Sequence, residues 1–564
     1  MLRSQEWWSG NKEYYNFSRR AWLRSEGFNR EVFDGRPVIG ICNSWSELNN
    51  CNVHLRAVAE AVKRGVWQAG GFPLEFPTIS LGEMFMRPTA MMYRNLMAMD
   101  VEESIRANPI DGVVLLCGCD KTTPAQLMGC ASADIPAILV PGGPMLAGQW
   151  KDRKLGAGTD GRKLFDLFRA GKLSEEELNE VEGCIARSAG HCAVMGTAST
   201  MTSLAEAIGM TLTGSAAIPA VDSRRMAIAE QSGKQIMQLV EHDVRPSKIM
   251  TRKAFENAIT VDMALGGSTN AVVHLLAIAG RLGVELTMDD FDAISRKTPY
   301  ITNVKPSGEY LMEEFFYAGG VPAVMRQVLP LLNADAPTVT GQTIGENVEH
   351  AACSNHDVIR ELDRPLHPEG GTIVLRGNLA PDGAVLKHTA ASPRLLKHRG
   401  KAYVFESYAQ MHDEIDREDL PVTSDSVLVL KNGGPKGAPG FPEWGHIPLP
   451  RVLLNQGVDD MLRISDARMS GTSFGTVVLH VAPESAIGGP LQFVRTGDEI
   501  ELDAEARLLT LCVSEDELRH RRANFQPAPA QYRRGYQKLF LDHVTQANLG
   551  CDFDFLRASG TANA

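Results

Sequence analysis

The first half of the chain alternates short β-branched runs with longer segments whose hydrophobic residues recur at helical spacing. Residues 53–69 place apolar side chains at Leu55, Val58, Val62 and Val66, which is the stripe of an amphipathic helix. Between such segments lie three runs that read as buried strands: PVIGIC (37–42), GVVLLCG (112–118) and AILVPGG (137–143). This alternation predicts an α/β fold with a doubly wound N-terminal domain.

Beyond about residue 371 the hydrophobic pattern changes, because strand-like runs follow one another closely. Residues 334–345, rich in Thr, Pro and Gly, predict a linker, and Pro381 to Gly383 predict a turn between strands. We therefore expect an α/β domain over 1–370 and a smaller β-rich, barrel-like domain over 371–564. The predicted strands are GTIVLRG, GAVLK, KAYVFE, SVLVLK, TVVLHV, DEIELD and RLLTLCV.

Composition narrows the functional classes. The 564 residues are 44% hydrophobic and 22% charged, which is typical of a globular protein, and the net charge of −11 gives nucleic acid no general electrostatic attraction. Charges interrupt the N-terminal segment where a signal peptide would be apolar, and no apolar run reaches the roughly 18 residues that span a bilayer. We expect a cytoplasmic protein that binds neither nucleic acid nor membrane.

Three of the ten cysteines, Cys51, Cys119 and Cys192, each stand between a strand or loop and the start of a helix. Such positions gather at the carboxyl edge of an α/β sheet, so these thiols could converge. Three thiolates would leave one iron of an iron-sulfur cluster open as a Lewis acid. The alternative for any single cysteine is a small buried hydrophobe, and Cys117 is expected to point into the core. The same interpretation is kept for Cys42, Cys130, Cys184, Cys353, Cys512 and Cys551.

Acidic residues supply a second candidate site. Asp120 and Lys121 directly follow Cys119, while Glu83 and Glu443 lie in ISLGEMFMRPTA and GGPKGAPGFPEWG. Carboxylate oxygens suit Mg²⁺. The alternative is that both glutamates are ordinary surface acids and that Lys121 is a solvated charge, although a helix N-terminus is unfavourable for a cation.

The segment SDARMSGTSFGT (465–476) is rich in hydroxyls and glycine. Ser470 could act as a base if a closed site stabilised its alkoxide. A turn whose hydroxyls bind its own backbone is an equal alternative. The chain has no GxSxG motif, so the logic of an ordinary serine hydrolase does not apply.

Taken together, these motifs resemble the dihydroxy-acid and sugar-acid dehydratase family, from about residue 35 to the last strand near 513. The motifs EMFMRPTAMMYRNL and FFYAGG look more like the sugar-acid, pentonate-like branch. Asn50, Ala193, Val194, Phe441 and Trp444 depart from the residues that are usual in the family, which bears on substrate identity. The remaining matching motifs are CNVHL, GCDKTTP, HCAVMGTAST, VDSRR, GGSTNAVVHLLAIA, LRGNLAPDGAVLK, GPKGAPGFPE and SDARMSGT.

The resemblance implies a set of cofactors and roles. A 2Fe-2S cluster would be held by Cys51, Cys119 and Cys192, with a 4Fe-4S cluster as the open alternative. Mg²⁺ would be held by Glu83, Asp120, Glu443 and a carbamylated Lys121. Ser470 would be the base, with Thr472 in the same substrate-facing loop.

The implied activity is dehydration of a 2,3-dihydroxy sugar acid, a small acidic molecule, to a 2-keto-3-deoxy acid. The alternatives are a branched-chain dihydroxy acid or phosphorylated gluconate as substrate, a thiol redox protein using Cys117 and Cys119, and a non-catalytic binding protein. The resemblance also implies a homodimer or homotetramer, in which His543 is a candidate for completing a neighbour's site.

Overall fold

The computed structural model describes residues 2–8, 13–527 and 532–558. Its N-terminal region contains a four-stranded parallel sheet in the order β2-β1-β3-β4, followed by a small antiparallel hairpin of β5 and β6. The strands of the described residues are β1 Val38–Asn43, β2 Phe72–Pro77, β3 Gly112–Cys117, β4 Ala137–Pro141, β5 Gly148–Trp150, β6 Arg153–Leu155, β7 Ile373–Gly377, β8 Ala380–Leu386, β9 Lys397–Phe405, β10 Val427–Leu430, β11 Arg463–Ser465, β12 Val477–Ala482, β13 Glu499–Asp503 and β14 Leu508–Leu511.

The three predicted N-terminal strands are confirmed as β1, β3 and β4, and every residue in them is buried. Parallel sheets are covered on both faces, so their strands read as continuous apolar runs. The sequence did not predict β2, because its FPLEFP segment is half exposed and contains two prolines. Proline is tolerated there because β2 is the edge strand.

Helices surround this sheet: α3 packs with α9, α4 packs with α5, and α3, α5 and α9 contact its strands. The predicted helical stripe is confirmed in α3, where Leu55, Val58, Val62 and Val66 are buried. The helices are α1 Gln5–Trp8, α2 Tyr14–Ser25, α3 Leu55–Gln68, α4 Arg94–Ala107, α5 Thr122–Ala133, α6 Thr159–Arg169, α7 Glu175–Ile185, α8 Thr197–Ile208, α9 Ser223–Glu241, α10 Pro246–Ile249, α11 Arg252–Leu265, α12 Asn270–Arg281, α13 Met288–Ser295, α14 Met312–Tyr317, α15 Gly320–Gln327, α16 Ile344–Val348, α17 Tyr408–Glu414, α18 Arg451–Asn455, α19 Glu515–Ala523 and α20 Gly535–His543.

The C-terminal region forms a closed barrel in the order β10-β11-β12-β8-β7-β14-β13-β9, which confirms the predicted fold class. Its core is a separate apolar cluster that includes Leu375, Val429 and Leu502. The predicted turn at 381–383 is wrong, because those residues belong to β8 and the chain reverses at 378–379. The three-residue β11 was too short to be recognised in the sequence.

Two further segments pack against the N-terminal region. The predicted linker at 334–345 lies against the N-terminal region: Val339 is buried, and its N–H donates to the Gly209 carbonyl at 2.8 Å. After the barrel, α20 and the residues behind it return to α4 and α12, where Arg94 donates to the Cys551 carbonyl at 2.8 Å. The domain boundary at residue 370 stays a prediction.

Candidate functional site

The carboxyl edge of the parallel sheet carries the predicted cysteines. Cys119 follows β3 by two residues and precedes α5, while Cys51 lies in the loop between β1 and α3. Cys192 lies in the loop before α8. Because β1 and β3 are adjacent and parallel, their carboxyl ends bring the first two loops to the same edge.

Direct backbone contacts hold the three loops together. A side chain at Gly118 would place its Cβ 2.7 Å from the Cys51 carbonyl oxygen, so only glycine allows this approach. On its other side, the carbonyl of Asn50 accepts from the Gly190 N–H at 3.2 Å, and the Asn50 amide donates back to the Gly190 carbonyl at 3.3 Å. The loop of Cys51 is therefore fixed between those of Cys119 and Cys192.

The three thiols act on one another, and we call Cys51, Cys119 and Cys192 the sulfur pocket. A hydrogen bond with Cys119, followed by burial and the charges of Cys119 and Cys192, raises the pKa of the Cys51 thiol well above its usual value. Burial, with Asp120 and Cys119, raises the pKa of Cys192 to about 12. None of the three is in a disulfide. Thiols with pKa values raised in this way, as at Cys51 and Cys192, become thiolates only when a cation compensates the charge.

Cys117 does not belong to the sulfur pocket. It is fully buried at the end of β3, as predicted, and accepts a hydrogen bond from Thr123 at 3.2 Å. Burial raises the pKa of its thiol to about 12. A redox thiol is exposed and has a lowered pKa, so this environment disfavours the thiol redox alternative.

Beside the sulfur pocket, three carboxylates surround one ammonium. Lys121 is fully buried, and its Nζ lies 3.3 Å from Asp120 Oδ2, 3.5 Å from Glu443 Oε1 and 3.6 Å from Glu83 Oε2. We call these four residues the carboxylate cage. Asp120 is adjacent to Cys119, so the cage and the sulfur pocket share one turn of chain before α5. Glu443 comes from the C-terminal half, beyond β10.

The pKa values of Lys121, Glu83 and Glu443 in the cage are shifted in different directions and by different causes. Burial opposes the charge on Lys121, but Asp120 and the two glutamates outweigh it and raise the pKa of the ammonium. Burial and Glu443 raise the pKa of Glu83, whereas Lys121 and Arg468 outweigh burial at Glu443 and lower its pKa. Of the two glutamates, Glu443 is thus the one more firmly kept as an anion, beside Lys121 and Arg468.

The donor set of the cage fits a hard divalent cation. Glu83 Oε2 is buried, accepts no hydrogen bond and faces the Lys121 ammonium at 3.6 Å, so this oxygen points at a cation position. Across the described part of the chain, no group of three or more His, Cys, Asp or Glu side chains is arranged to hold a metal ion as it stands. In the cage, the Lys121 ammonium lies within 3.6 Å of an oxygen of each of the three carboxylates.

The predicted serine loop lies against the N-terminus of α8. The Ser470 and Thr472 hydroxyls lie 3.0 Å apart, and the Thr472 N–H approaches Ser470 Oγ at 3.4 Å. Thr159 donates to the Thr472 carbonyl at 2.7 Å. Any side chain at Gly471 would collide with the backbone nitrogen of Thr197. The hydroxyl pair is thereby fixed close to the loop of Cys192, which ends where α8 begins.

Sequence reasoning missed three residues around the cage. Arg468 is fully buried and donates to Glu443 Oε1 at 3.1 Å, and Thr89 donates to Glu83 Oε1 at 2.6 Å. Arg162 acts electrostatically on Glu443. Arg468 and Thr89 both lie inside motifs already singled out, but neither residue type is a usual metal ligand, so nothing in the pattern drew attention to them.

His543 lies at the surface in the described chain. Its Nδ1 is 3.0 Å from Asp554 Oδ1, and its ring meets Phe555 edge-on with centroids 4.9 Å apart. Its predicted role, to complete the site of a neighbouring subunit, stays a prediction.

The thiol set, the carboxylate cage and the hydroxyl loop thus lie in one region of the structure, and comparisons with known proteins give the family. Residues 36–347 match the model of the dihydroxy-acid/6-phosphogluconate dehydratase N-terminal domain, and residues 357–551 match that of the C-terminal domain. The chain belongs to this family and is a dehydratase.

Several of the individual relatives carry the names of sugar-acid dehydratases. The chain is 53% identical to L-arabinonate dehydratase of Rhizobium leguminosarum bv. trifolii, over 99% of this chain and 96% of the relative. It is 51% identical to 6-deoxy-6-sulfo-D-gluconate dehydratase of Pseudomonas putida, with the same coverage. Identity falls to 40% for the dihydroxy-acid dehydratase of Caldicellulosiruptor saccharolyticus, over 96% of this chain and 98% of the relative. No helix of the described residues is long and apolar enough to cross a membrane.

Proposed function

We propose that this dehydratase removes water from a 2,3-dihydroxy sugar acid and yields the 2-keto-3-deoxy acid. The observation that carries the proposal is the junction at Cys119, Asp120 and Lys121, where the sulfur pocket and the carboxylate cage meet on one turn of chain. The sugar-acid names of two relatives with more than half of their residues identical support the substrate class.

The residues present fit the two cofactors that the family implies. Cys51, Cys119 and Cys192 would hold a 2Fe-2S cluster, and the carboxylate cage would hold Mg²⁺, with Lys121 as a carbamate in place of the ammonium. When bound, these groups supply Lewis acidity for the departing C3 hydroxyl and for the negative charge that develops next to the substrate carboxylate.

The chain itself supplies the proton acceptor. Ser470 acts as an alkoxide, to which the Thr472 hydroxyl, 3.0 Å away, donates a hydrogen bond; it takes the proton from C2 and becomes a neutral hydroxyl. The Thr472 N–H, at 3.4 Å, supports the same oxygen. Loss of the C2 proton and the C3 hydroxyl amounts to one water, and the enol that remains becomes the ketone. The reaction needs no net electron transfer.

A small acidic substrate is consistent with the cations around the cage. Arg162 and Arg468 both act electrostatically on Glu443, and Arg162 also acts on His446. These positive charges offset part of the carboxylate charge that would otherwise repel an anionic sugar acid.

We also propose that the chain assembles as a homodimer or homotetramer. Helix α2 exposes Tyr14, Tyr15, Phe17 and Trp22, each more than 60% accessible in the single chain. Clustered exposed aromatic residues are typical of an interface between subunits.

A substrate panel tests the proposed activity. The anaerobically purified enzyme with Mg²⁺ would be given L-arabinonate, D-gluconate, 6-phosphogluconate and 2,3-dihydroxyisovalerate, and keto-acid formation would be followed. We expect an unphosphorylated sugar acid to react fastest. Preference for dihydroxyisovalerate would instead assign the branched-chain reaction, and preference for the phosphorylated acid would assign a phosphate-recognising enzyme.

A further inference from the structure

Arg468 is a buried charge at the centre of the site, and it has no part in the proton transfer proposed above. It lies between β11 and β12, two residues before Ser470, and is fully inaccessible to solvent. A buried guanidinium is costly unless its N–H groups are paired. Its partners therefore indicate what it does.

Each nitrogen of this guanidinium has a different partner. Nε donates to the Phe441 carbonyl at 2.7 Å, Nη1 to Glu443 Oε1 at 3.1 Å and Nη2 to Thr89 Oγ1 at 3.3 Å. The Thr89 hydroxyl in turn donates to Glu83 Oε1 at 2.6 Å. One side chain is thus linked to both glutamates of the carboxylate cage, directly to Glu443 and through a hydroxyl to Glu83.

The Arg468 backbone also forms hydrogen bonds with residues on both sides of Glu443 in the sequence. Its N–H donates to the Pro442 carbonyl at 3.2 Å, and its carbonyl accepts from the Gly445 N–H at 2.8 Å. The turn that carries Glu443 and the loop that carries Ser470 are therefore joined at this one residue. Thr89 and Glu83, by contrast, precede α4 and belong to the N-terminal half.

We propose that Arg468 is a positioning residue that sets the separation of Glu83 and Glu443 around the divalent cation and fixes both relative to Ser470. The inference rests on the proposed function, in which these glutamates bind Mg²⁺. A lysine would keep the charge, but it has one donor group where the planar guanidinium presents several at fixed angles. Geometry and charge can therefore be separated by substitution.

The test measures cation binding instead of turnover. Mn²⁺ replaces Mg²⁺ as a spectroscopic probe, and its dissociation constant is measured by electron paramagnetic resonance on the full-length holoprotein. We expect Arg468→Lys to weaken Mn²⁺ binding about tenfold or more, as is usual when a residue that orients metal ligands is lost. Binding within twofold of the wild type would show that only the charge matters and would overturn the proposal.

Thr89 provides the matched control. Thr89→Val removes the bridging hydroxyl with almost no change of shape and should weaken Mn²⁺ binding to a similar extent. Thr89→Ser keeps the hydroxyl and should bind nearly as the wild type does. Because both residues act through the same hydrogen-bonded chain, the double variant Arg468→Lys/Thr89→Val should lose less than the two single losses combined. Fully additive losses would contradict the shared chain.

Two further outcomes keep this inference distinct from the proposed function. If the wild type binds no Mn²⁺ and Glu443→Gln changes nothing, the metal assignment fails and takes the positioning role with it. If Glu443→Gln weakens binding while Arg468→Lys and Thr89→Val do not, only the role of Arg468 is wrong. Should Arg468→Lys fail to fold, the Thr89 pair decides the question alone.

Discussion

The sulfur pocket and the carboxylate cage lie side by side but are assembled differently. All three members of the sulfur pocket come from loops of the N-terminal half, and backbone contacts at Gly118, Asn50 and Gly190 bring them together. The cage also needs Glu443 from the C-terminal half, and the side chains of Arg468 and Thr89 hold it. The first site depends on close backbone approach, whereas the second depends on hydrogen bonds between distant segments.

This difference has a physical consequence. Backbone approach is set when the parallel sheet forms, because strand register places the loops at one edge. The cage is complete only when the segments around the barrel have packed against residues 83–121. We therefore expect substitutions in the sulfur pocket to alter iron retention and substitutions in the carboxylate cage to alter Mg²⁺ binding. Each kind of substitution should have little effect on the other cofactor.

The largest effect is expected when a thiol of the sulfur pocket is removed. Cys119→Ser should abolish iron retention and turnover together, because an alcohol is a poor ligand for iron beside inorganic sulfide. Iron content and the brown charge-transfer absorbance measure the loss. Cys117→Ala is the control, since Cys117 lies in the core, and this variant should keep both iron and activity. If it lost turnover while keeping its full iron content, the thiol redox alternative would be favoured instead.

Ser470→Ala separates chemistry from binding. Turnover should fall by about 10²- to 10⁴-fold, the usual range for a missing proton-transfer group, while iron, sulfide and Mg²⁺ content stay unchanged. The control is Ser473→Ala in the same loop, whose buried hydroxyl has no hydrogen-bond partner among the described residues. Near wild-type turnover in Ser470→Ala would mean that another group is the base.

Gly118→Ala tests whether the sulfur pocket depends on backbone approach. The added methyl group would lie 2.7 Å from the Cys51 carbonyl oxygen, and overpacking of this kind costs about 1–3 kcal/mol. A chelator should therefore remove iron roughly 10- to 100-fold faster, with Mg²⁺ binding preserved. Gly183→Ala in α7, where a Cβ would meet no atom within 4 Å, should leave the rate unchanged. Equal rates in both variants would contradict the account of this pocket.

Glu443→Gln should have the smallest effect and should fall on the other cofactor. The amide keeps the size and the acceptor oxygen that faces Arg468 but loses the charge, so the Mg²⁺ concentration for half-maximal activity should rise about tenfold. Iron content should not change. The surface variant Glu418→Gln controls for the general loss of one negative charge. An equal rise in its half-maximal Mg²⁺ concentration would show that Glu443 is not a Mg²⁺ ligand.

The same contrast between the two sites explains which features could be predicted from the sequence. The sequence was sufficient to predict most strands, the α/β and barrel fold class and the setting of the three cysteines, because periodicity and turn residues are local signals. The link from Arg468 through Thr89 to Glu83 joins residues hundreds of positions apart, and no local pattern encodes such a contact. The edge strand β2 and the short β11 were missed because one is half exposed and proline-containing and the other has three residues.

Chemical analysis of the anaerobically purified, full-length protein is the most direct test of the central claim that three separate thiols hold one iron-sulfur cluster. The account predicts about two iron and two acid-labile sulfide per chain for a 2Fe-2S cluster, or about four of each for a 4Fe-4S cluster, all lost in Cys119→Ser. A protein that turns over a sugar acid while containing neither iron nor acid-labile sulfide would contradict it.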